Sequence, residues 1–181
     1  MALIPQCVER CKGKFSKLTG DPIMVVGAGG IVNGEGVAAA FALGAQAVWI
    51  GTRFVASVES HASDRHKQKI LESGALNTTR TLIYSGRPLR AFESEYVHKW
   101  HTERKQEIET LCSAGTVPYY HDMALAEKNE TKFDLAGTFP MLFGQGCGLI
   151  KEIKPAGEIV EELMQDAIQT LKRGNTLVSK L

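Results

Sequence analysis

Two glycine turns, Val25-Val26-Gly27-Ala28-Gly29-Gly30-Ile31 and Val48-Trp49-Ile50-Gly51-Thr52-Arg53, decide the fold of this chain. Each turn ends a short apolar run, and these runs predict buried parallel strands over residues 22–27 and 46–51. The residues between them, 37–44, predict a helix built of small side chains. A strand, a helix and a strand at this spacing predict an α/β fold in which both turns lie at the carboxyl edge of one parallel sheet.

The residues of the two turns are of the types that hold a phosphate. Gly29, Gly30 and Gly51 lack a Cβ, so a ligand can reach their backbone N–H groups, and Thr52 adds a hydroxyl. A helix that starts just after such a turn adds its dipole and its free amides. In (β/α)₈ barrels the phosphate site lies in the loops after strands seven and eight. The sequence therefore predicts a phosphate cradle, and the alternative is that these glycines only form tight βα turns.

Two commoner phosphate motifs are excluded at named positions. The dinucleotide fingerprint would need Gly or Ala where Val32 stands, and an acidic residue about 20 positions further on, where the next strand runs into the second glycine turn. A P-loop would need a lysine after Gly34, and Glu35 stands there.

A longer stretch, residues 22–59 with GAGGI, GEGVAAAFALGA and VWIGTRF, resembles the C-terminal half of the nitronate monooxygenases, formerly called 2-nitropropane dioxygenases. The resemblance continues at Ser85-Gly86-Arg87-Pro88 and at Gly144-Gln145-Gly146-Cys147-Gly148-Leu149-Ile150. It extends into the helix that begins around Lys154-Pro155-Ala156. Members of this family are FMN-dependent TIM barrels.

The resemblance implies a fold and a set of cofactor contacts. The fold would be the C-terminal portion of a TIM (β/α)₈ barrel, strands seven and eight, with a largely helical C-terminal extension. Residues 1–181 would form a partial FMN-binding barrel domain, with the phosphate-binding βα units in 1–60 and mostly helices in 61–181. The positions that would bind FMN are Gly29, Gly30, Trp49, Ile50, Gly51 and Thr52.

The resemblance also implies an activity, the FMN-dependent oxidation of a small alkyl nitronate by oxygen. The family's catalytic histidine lies upstream of the matching segment, and no histidine precedes His61 here. No catalytic residue is therefore predicted, and we expect this chain to be a fragment that is inactive alone. Another chain is the candidate to complete the barrel. The alternative is a catalytically inactive FMN- or phosphate-binding remnant that acts through association.

Two polar residues beside the cradle each leave two interpretations open. Arg53 follows the second turn, and it can be a phosphate ligand or a member of a structural ion pair. Gln145 stands in a glycine-rich segment, and its amide can reach a flavin or substrate, or can stabilise its own loop.

Composition excludes several classes of function. The 21 basic and 20 acidic residues nearly cancel, which indicates neither a nucleic-acid partner nor an anionic membrane surface. No apolar run approaches the roughly 18 residues of a membrane span. The four cysteines indicate free thiols, and no metal site is predicted. Cys7 and Cys11 share one helix face, which we expect to be directed at the core.

The last three residues, Ser179-Lys180-Leu181, form the tripeptide that is read as a peroxisomal address. We expect Gly174-Asn175-Thr176 to break the preceding helix over 158–172 and so to free the tail. The predicted location is therefore peroxisomal, and cytoplasmic otherwise. The same tripeptide leads us to expect an authentic C-terminus and any truncation at the N-terminal end.

The rest of the chain gives coarser predictions. We expect one extended segment over 78–84 and a loop-rich region over 130–148. Helices are predicted over residues 3–16, 62–73, 94–114 and 118–129.

Overall fold

The computed structural model describes residues 2–178, which form two compact units. Of these, residues 2–72 and 146–178 belong to the first unit, and residues 73–145 form the second. Helices and short parallel strands build the first unit, and an antiparallel strand pair with helices builds the second, which confirms an α/β fold. Within the described residues, no helix is both long and apolar enough to cross a membrane.

The sheet of the first unit consists of β1 (Val26–Ala28) and β2 (Ala47–Trp49), which pair in parallel with Ala28 opposite Trp49. The first predicted strand, 22–27, started four residues too early and ended one residue short, and the second, 46–51, was too long by one residue at its start and two at its end. Proline has no N–H to give to a ladder, and Pro22 instead forms an isolated antiparallel bridge with Phe15. The parallel pairing itself confirms the predicted βαβ arrangement.

Helix α1 spans Leu3–Cys11, so the predicted helix over 3–16 was too long. Gly13 has a φ of +69°, a backbone conformation that follows many helix ends and that glycine adopts without strain. Beyond it the chain turns, and it pairs at Phe15. Cys7 and Cys11 are half-buried on this helix, not fully enclosed in the core.

Helix α2 spans Gly34–Ala42 and connects the two strands of the sheet. Asn33 caps it by accepting a hydrogen bond from the Gly36 N–H at 3.0 Å. At Gly34 an added Cβ would lie only 2.3 Å from the Cβ of Asp166, so a glycine is what lets the two backbones approach. The core that this packing creates consists of Ile31, Val37, Ala38, Ala40, Ala45, Ile159, Leu163 and Ala167.

Helix α9 spans Ala156–Val178, packs on α2 and is the last helix of the described residues. The Glu59 carboxylate accepts the Ala156 N–H at its start, at 2.8 and 3.0 Å. The predicted break at Gly174-Asn175-Thr176 was wrong, because the helix continues through all three residues. One glycine inside a helix costs only about 1 kcal/mol, which the other hydrogen bonds of a long helix offset.

In the second unit, β3 (Thr78–Thr81) pairs antiparallel with β4 (Leu89–Phe92). The predicted extended segment over 78–84 is therefore confirmed in its first half. The predicted helix over 94–114 is two helices, α5 (Glu95–Thr102) and α6 (Lys105–Ser113).

The break between α5 and α6 lies at Arg104, whose backbone is outside the helical region. Its guanidinium donates to Glu107 and to Asp122, at 2.7 to 2.9 Å. These charge-assisted hydrogen bonds stabilise the turn and link it to the helix that contains Asp122.

The remaining elements are at most 11 residues long: α3 (Thr52–Val55), α4 (Asp64–Glu72), α7 (Pro118–Lys128), α8 (Leu135–Thr138) and the 3₁₀ turns Ala75–Asn77 and Gln145–Leu149. Helix α8 and the second 3₁₀ turn interrupt the predicted loop region over 130–148.

Candidate functional site

The two glycine turns follow neighbouring strands at the same edge of the sheet. Ala28 and Trp49 are the last paired residues, and Gly30 and Gly51 each stand two positions further along the chain. Adjacent strands of a sheet lie about 4.8 Å apart. The structure therefore brings the turns side by side, as the sequence predicted, at the strand ends where open α/β sheets bind their ligands.

The backbone of both turns is accessible. Gly29 and Gly30 have φ values of +88° and +73°, which L side chains rarely adopt, whereas the φ of Gly51 is an ordinary −102°. A Cβ added at any of the three would meet no protein atom within 4 Å. The space that side chains would fill is open, and an anion can approach the main chain there.

The helix ends contribute less than the sequence suggested. Helix α2 begins at Gly34, four residues beyond Gly30, and Asn33 already accepts the Gly36 N–H of its first turn. Helix α3 begins at Thr52 but is only four residues long, so its dipole is small. The glycine turns themselves, rather than the helix dipoles, are what the structure offers to a phosphate.

The remaining predicted cofactor positions differ in exposure. The Trp49 side chain is 74% exposed, on the same sheet face as Val26 because the strand alternation places them together. Ile50 is half-buried and packs against the apolar core, so only its main chain can face the cradle. Thr52 is half-buried at the start of α3.

Arg53 is a structural residue rather than a phosphate ligand. Its side chain is buried, and Nη1 donates to the Ala56 carbonyl at 3.2 Å and to the Glu152 carbonyl at 3.1 Å. The hydrogen-bond partners are main-chain oxygens, so the structural alternative is the one that the geometry favours, although no carboxylate of the described residues forms an ion pair with Arg53 within 4 Å. Burial lowers the pKa of the guanidinium, and the charges of Glu162 and Glu152 oppose that shift. Arg53 thereby fixes the segment that follows the second turn.

Sequence reasoning missed one residue that shapes the cradle, Gly146. A Cβ there would lie 2.7 Å from a methyl carbon of Val32 and 3.5 Å from the Gly30 carbonyl oxygen. Gly146 is therefore packed against the first glycine turn, from more than 110 positions away in the sequence. The glycine-rich composition of its segment, residues 144–148, was the one available signal.

Two side chains of the same segment differ in burial. Cys147 is fully buried, and burial raises the pKa of its thiol, so the thiolate is disfavoured. Gln145 is exposed.

The described residues contain no cluster of His, Cys, Asp and Glu side chains arranged to hold a metal ion. In the first unit the histidines are His61 and His66, both beyond the second glycine turn, and His66 is buried in α4.

Comparison with known proteins gives the same family over most of the chain. The family model described as nitronate monooxygenase matches residues 1–166. A probable nitronate monooxygenase of Bacillus subtilis is 33% identical over 172 residues, covering 93% of this chain and 44% of that protein. A nitronate monooxygenase of Neurospora crassa is 29% identical, covering 96% of this chain and 44% of that protein.

Solved structures show the same similarity. FabK from Thermotoga maritima superposes with a TM-score of 0.70 at 30% identity, covering 97% of this chain and 50% of that chain. The nitroalkane oxidase from Streptomyces ansochromogenes also gives a TM-score of 0.70, at 26% identity, covering 95% and 44%. The chain thus spans about half the length of the curated relatives it matches. With a family model that matches 166 of its residues, this chain belongs to the nitronate monooxygenase family.

Proposed function

We propose that this chain supplies the phosphate-binding end of an FMN site in a flavin-dependent oxidoreductase that oxidises alkyl nitronates with oxygen. Family membership implies a flavin cofactor, and the observation that carries the FMN phosphate is the pair of open glycine turns beyond Ala28 and Trp49. The open backbone at Gly29, Gly30 and Gly51 offers accessible N–H groups, the chemistry that a phosphate group requires.

Each residue of the cradle has a distinct task in this proposal. The N–H groups of Gly29, Gly30 and Gly51 and the hydroxyl of Thr52 hold the phosphate. The largely exposed Trp49, two positions before Gly51, supplies apolar surface beside the cofactor. The chemistry that FMN supplies when bound is electron transfer between a nitronate and oxygen, while the protein binds and orients it.

In this proposal the phosphate cradle lies within this chain, and a second polypeptide segment completes the rest of the flavin pocket. We propose that the chain provides strands seven and eight of a (β/α)₈ barrel and that another chain provides the remaining βα units. The apolar side chains of Val26 and Trp49 are exposed on one sheet face, which a closed barrel would cover.

Helix α9 supports the same proposal. Its inner face is buried against α2, but a second apolar stripe on the helix is 46–51% exposed. A stripe of this length is typical of a helix that packs against a neighbour. It consists of Val160, Met164, Ile168 and Leu171.

The alternative function is an FMN- or phosphate-binding protein without catalysis. It requires only the open glycine turns, which would hold the phosphate in either case. Both functions use the same cradle and differ in whether turnover appears once the barrel is complete.

We also propose that Ser179-Lys180-Leu181 directs the protein to peroxisomes. These three residues lie outside the described ones, so the proposal is based on the tripeptide alone. A tagged chain should enter peroxisomes, and the same chain without Leu181 should not. Import of the shortened chain would show that another signal is responsible.

The test of the cradle compares two flavins that differ only in the phosphate. The purified chain is titrated with FMN and with riboflavin, and binding is followed by flavin fluorescence. Because charge-assisted hydrogen bonds to a phosphate are worth about 1.5–3 kcal/mol each, FMN should bind at least roughly ten-fold more tightly. Equal affinity for the two flavins, or no binding of either, would contradict the proposal.

A further inference from the structure

A cavity in the second unit lies between β3 and the helices α5 and α6. Its volume is about 320 Å³, at the lower end of the range for small-molecule sites. Leu82 and Ile108 give it an apolar floor, and Ile108 is itself 5% exposed. The cavity is built entirely from residues 80–109, and it shares no residue with the proposed flavin site.

Two cations, Arg80 and Lys105, stand at the wall of this cavity. None of the ion pairs among the described residues involves either of them. Arg80 is also paired across the strands with Arg90, so its nearest cross-strand neighbour is a like charge. A bound anion would relieve that repulsion.

Two further polar side chains of the wall, His101 and Thr81, lie within hydrogen-bond distance of each other. Nε2 of His101 lies 2.9 Å from the Thr81 hydroxyl oxygen, which also accepts the Ile83 N–H at 3.2 Å. Burial holds the pKa of His101 below its usual value; Glu93 opposes that shift, and the charges of Lys105 and His98 add to it. The imidazole is therefore mainly uncharged at neutral pH. The effect of Lys105 on His101 also shows that the ammonium group acts on the wall of this cavity.

We propose that this cavity binds a small amphipathic monoanion, a carboxylate on a short alkyl chain. The two unpaired cations would hold the carboxylate, and the apolar floor would take the chain. Glu109 also lines the cavity and disfavours groups with more negative charge, such as a phosphate dianion. The proposal goes beyond the flavin function and does not depend on it.

The test uses the full 181-residue chain and hexanoate as the probe, with hexanol and inorganic phosphate as comparisons. Binding is measured by saturation-transfer NMR and by isothermal titration calorimetry. Hexanoate should bind more tightly than both comparison compounds. Hexanol binding as well as hexanoate, or phosphate binding better than hexanoate, would overturn the proposal.

Charge variants assign the binding to the cavity. Lys105→Gln and Arg80→Gln should each weaken hexanoate binding about three- to ten-fold, because each removes one cationic partner. Glu109→Gln should tighten it, because it removes a repelling carboxylate. The matched control is Lys128→Gln, an exposed lysine in the last turn of α7 that does not line the cavity. Equal effects of Lys105→Gln and Lys128→Gln, at unchanged thermal stability, would overturn the proposal.

Discussion

The two units of this protein bury their two-stranded sheets to very different extents. In the first unit, the Val26 and Trp49 side chains of β1 and β2 are 49% and 74% exposed. In the second, Ala91 of β4 is fully buried, next to Ile83 and Trp100, which are 0% and 1% exposed. One sheet has an open apolar face, and the other is covered by its own helices.

The difference supports our proposal that the first unit, and not the second, packs against further βα units. A cluster of aromatic rings, including Tyr84, Tyr96 and Tyr119, completes the core of the second unit from its own residues. Burial raises the pKa of Tyr84 to about 12, and its hydroxyl donates to the Thr138 carbonyl at 3.1 Å. The first unit has a comparable core only on the α2 and α9 side of its sheet. Its other face is where the remaining barrel would pack in our proposal.

The largest expected effect concerns catalysis. The 181-residue chain alone should show no appreciable nitronate oxidation, because the general base of the family would lie upstream and a base contributes about 10²–10⁴-fold in rate. In our proposal the other βα units also position the substrate, so the chain without them would lose that contribution as well. The assay is oxygen consumption by the purified, sequence-verified chain with FMN and an alkyl nitronate.

Sedimentation of the same sample provides a second measurement, because the open sheet face should make the isolated chain self-associate. Turnover at the rate of an intact enzyme would contradict the fragment interpretation. The base would then have to be one of His61, His66, His98, His101 and His121.

The next effect compares the two tryptophans. Trp100→Ala should destabilise the second unit by about 3–5 kcal/mol, because a large buried ring is lost together with its stacking against Arg104, 3.5 Å from the ring centre. Trp49→Ala should change stability by less than about 0.5 kcal/mol, because that ring is exposed. Urea unfolding followed by circular dichroism measures both variants. A similar loss for the two would show that the sheet face of the first unit is covered in solution.

These contrasts were only partly available from the sequence. The glycine turns and their parallel strands were predictable, because small residues and apolar runs act locally. The exposure of Trp49 was not, since an apolar strand predicts burial whether or not a covering layer is present. The contact of Gly146 with Val32 and Gly30 connects positions that are far apart along the chain.

Helix ends were the least predictable feature, because the end of a helix depends on the contacts that the chain makes beyond it. Gly13 ends α1 but Gly174 does not end α9, although both are glycines near predicted helix ends. Local sequence does not distinguish them; the difference is that the chain after Gly13 turns back to pair at Phe15. The role of Arg53 stayed open because its partners are backbone carbonyls, which no sequence pattern marks.

A smaller effect concerns the pH dependence of the second unit. Hydrogen bonds from Arg104 hold the pKa of Glu107 below its ordinary value of 4.5. A lowered folded-state pKa means that the stabilisation is present above pH 4.5 and is lost as the pH falls through the folded-state pKa. Because the Glu107 side chain is 38% exposed, the effect should be small.

Urea midpoints measured at pH 7 and at about pH 3.5 should therefore differ less for Glu107→Gln than for the unmodified chain. Glu127→Gln, an exposed residue of α7, is the control and should keep the original pH dependence. An unchanged pH dependence in Glu107→Gln would show that this ion pair contributes nothing to stability.

The central claim is that the phosphate of FMN contacts the backbone of the glycine turns, and Gly51→Ala tests it most directly. The φ of Gly51 is −102° and its Cβ would meet no protein atom, so this variant should fold normally. The matched control is Gly157→Ala in α9, where an added Cβ also finds open space. By fluorescence titration, Gly51→Ala should weaken FMN binding about ten-fold or more, while Gly157→Ala stays within about two-fold. Equal FMN affinity in the two variants would contradict the account.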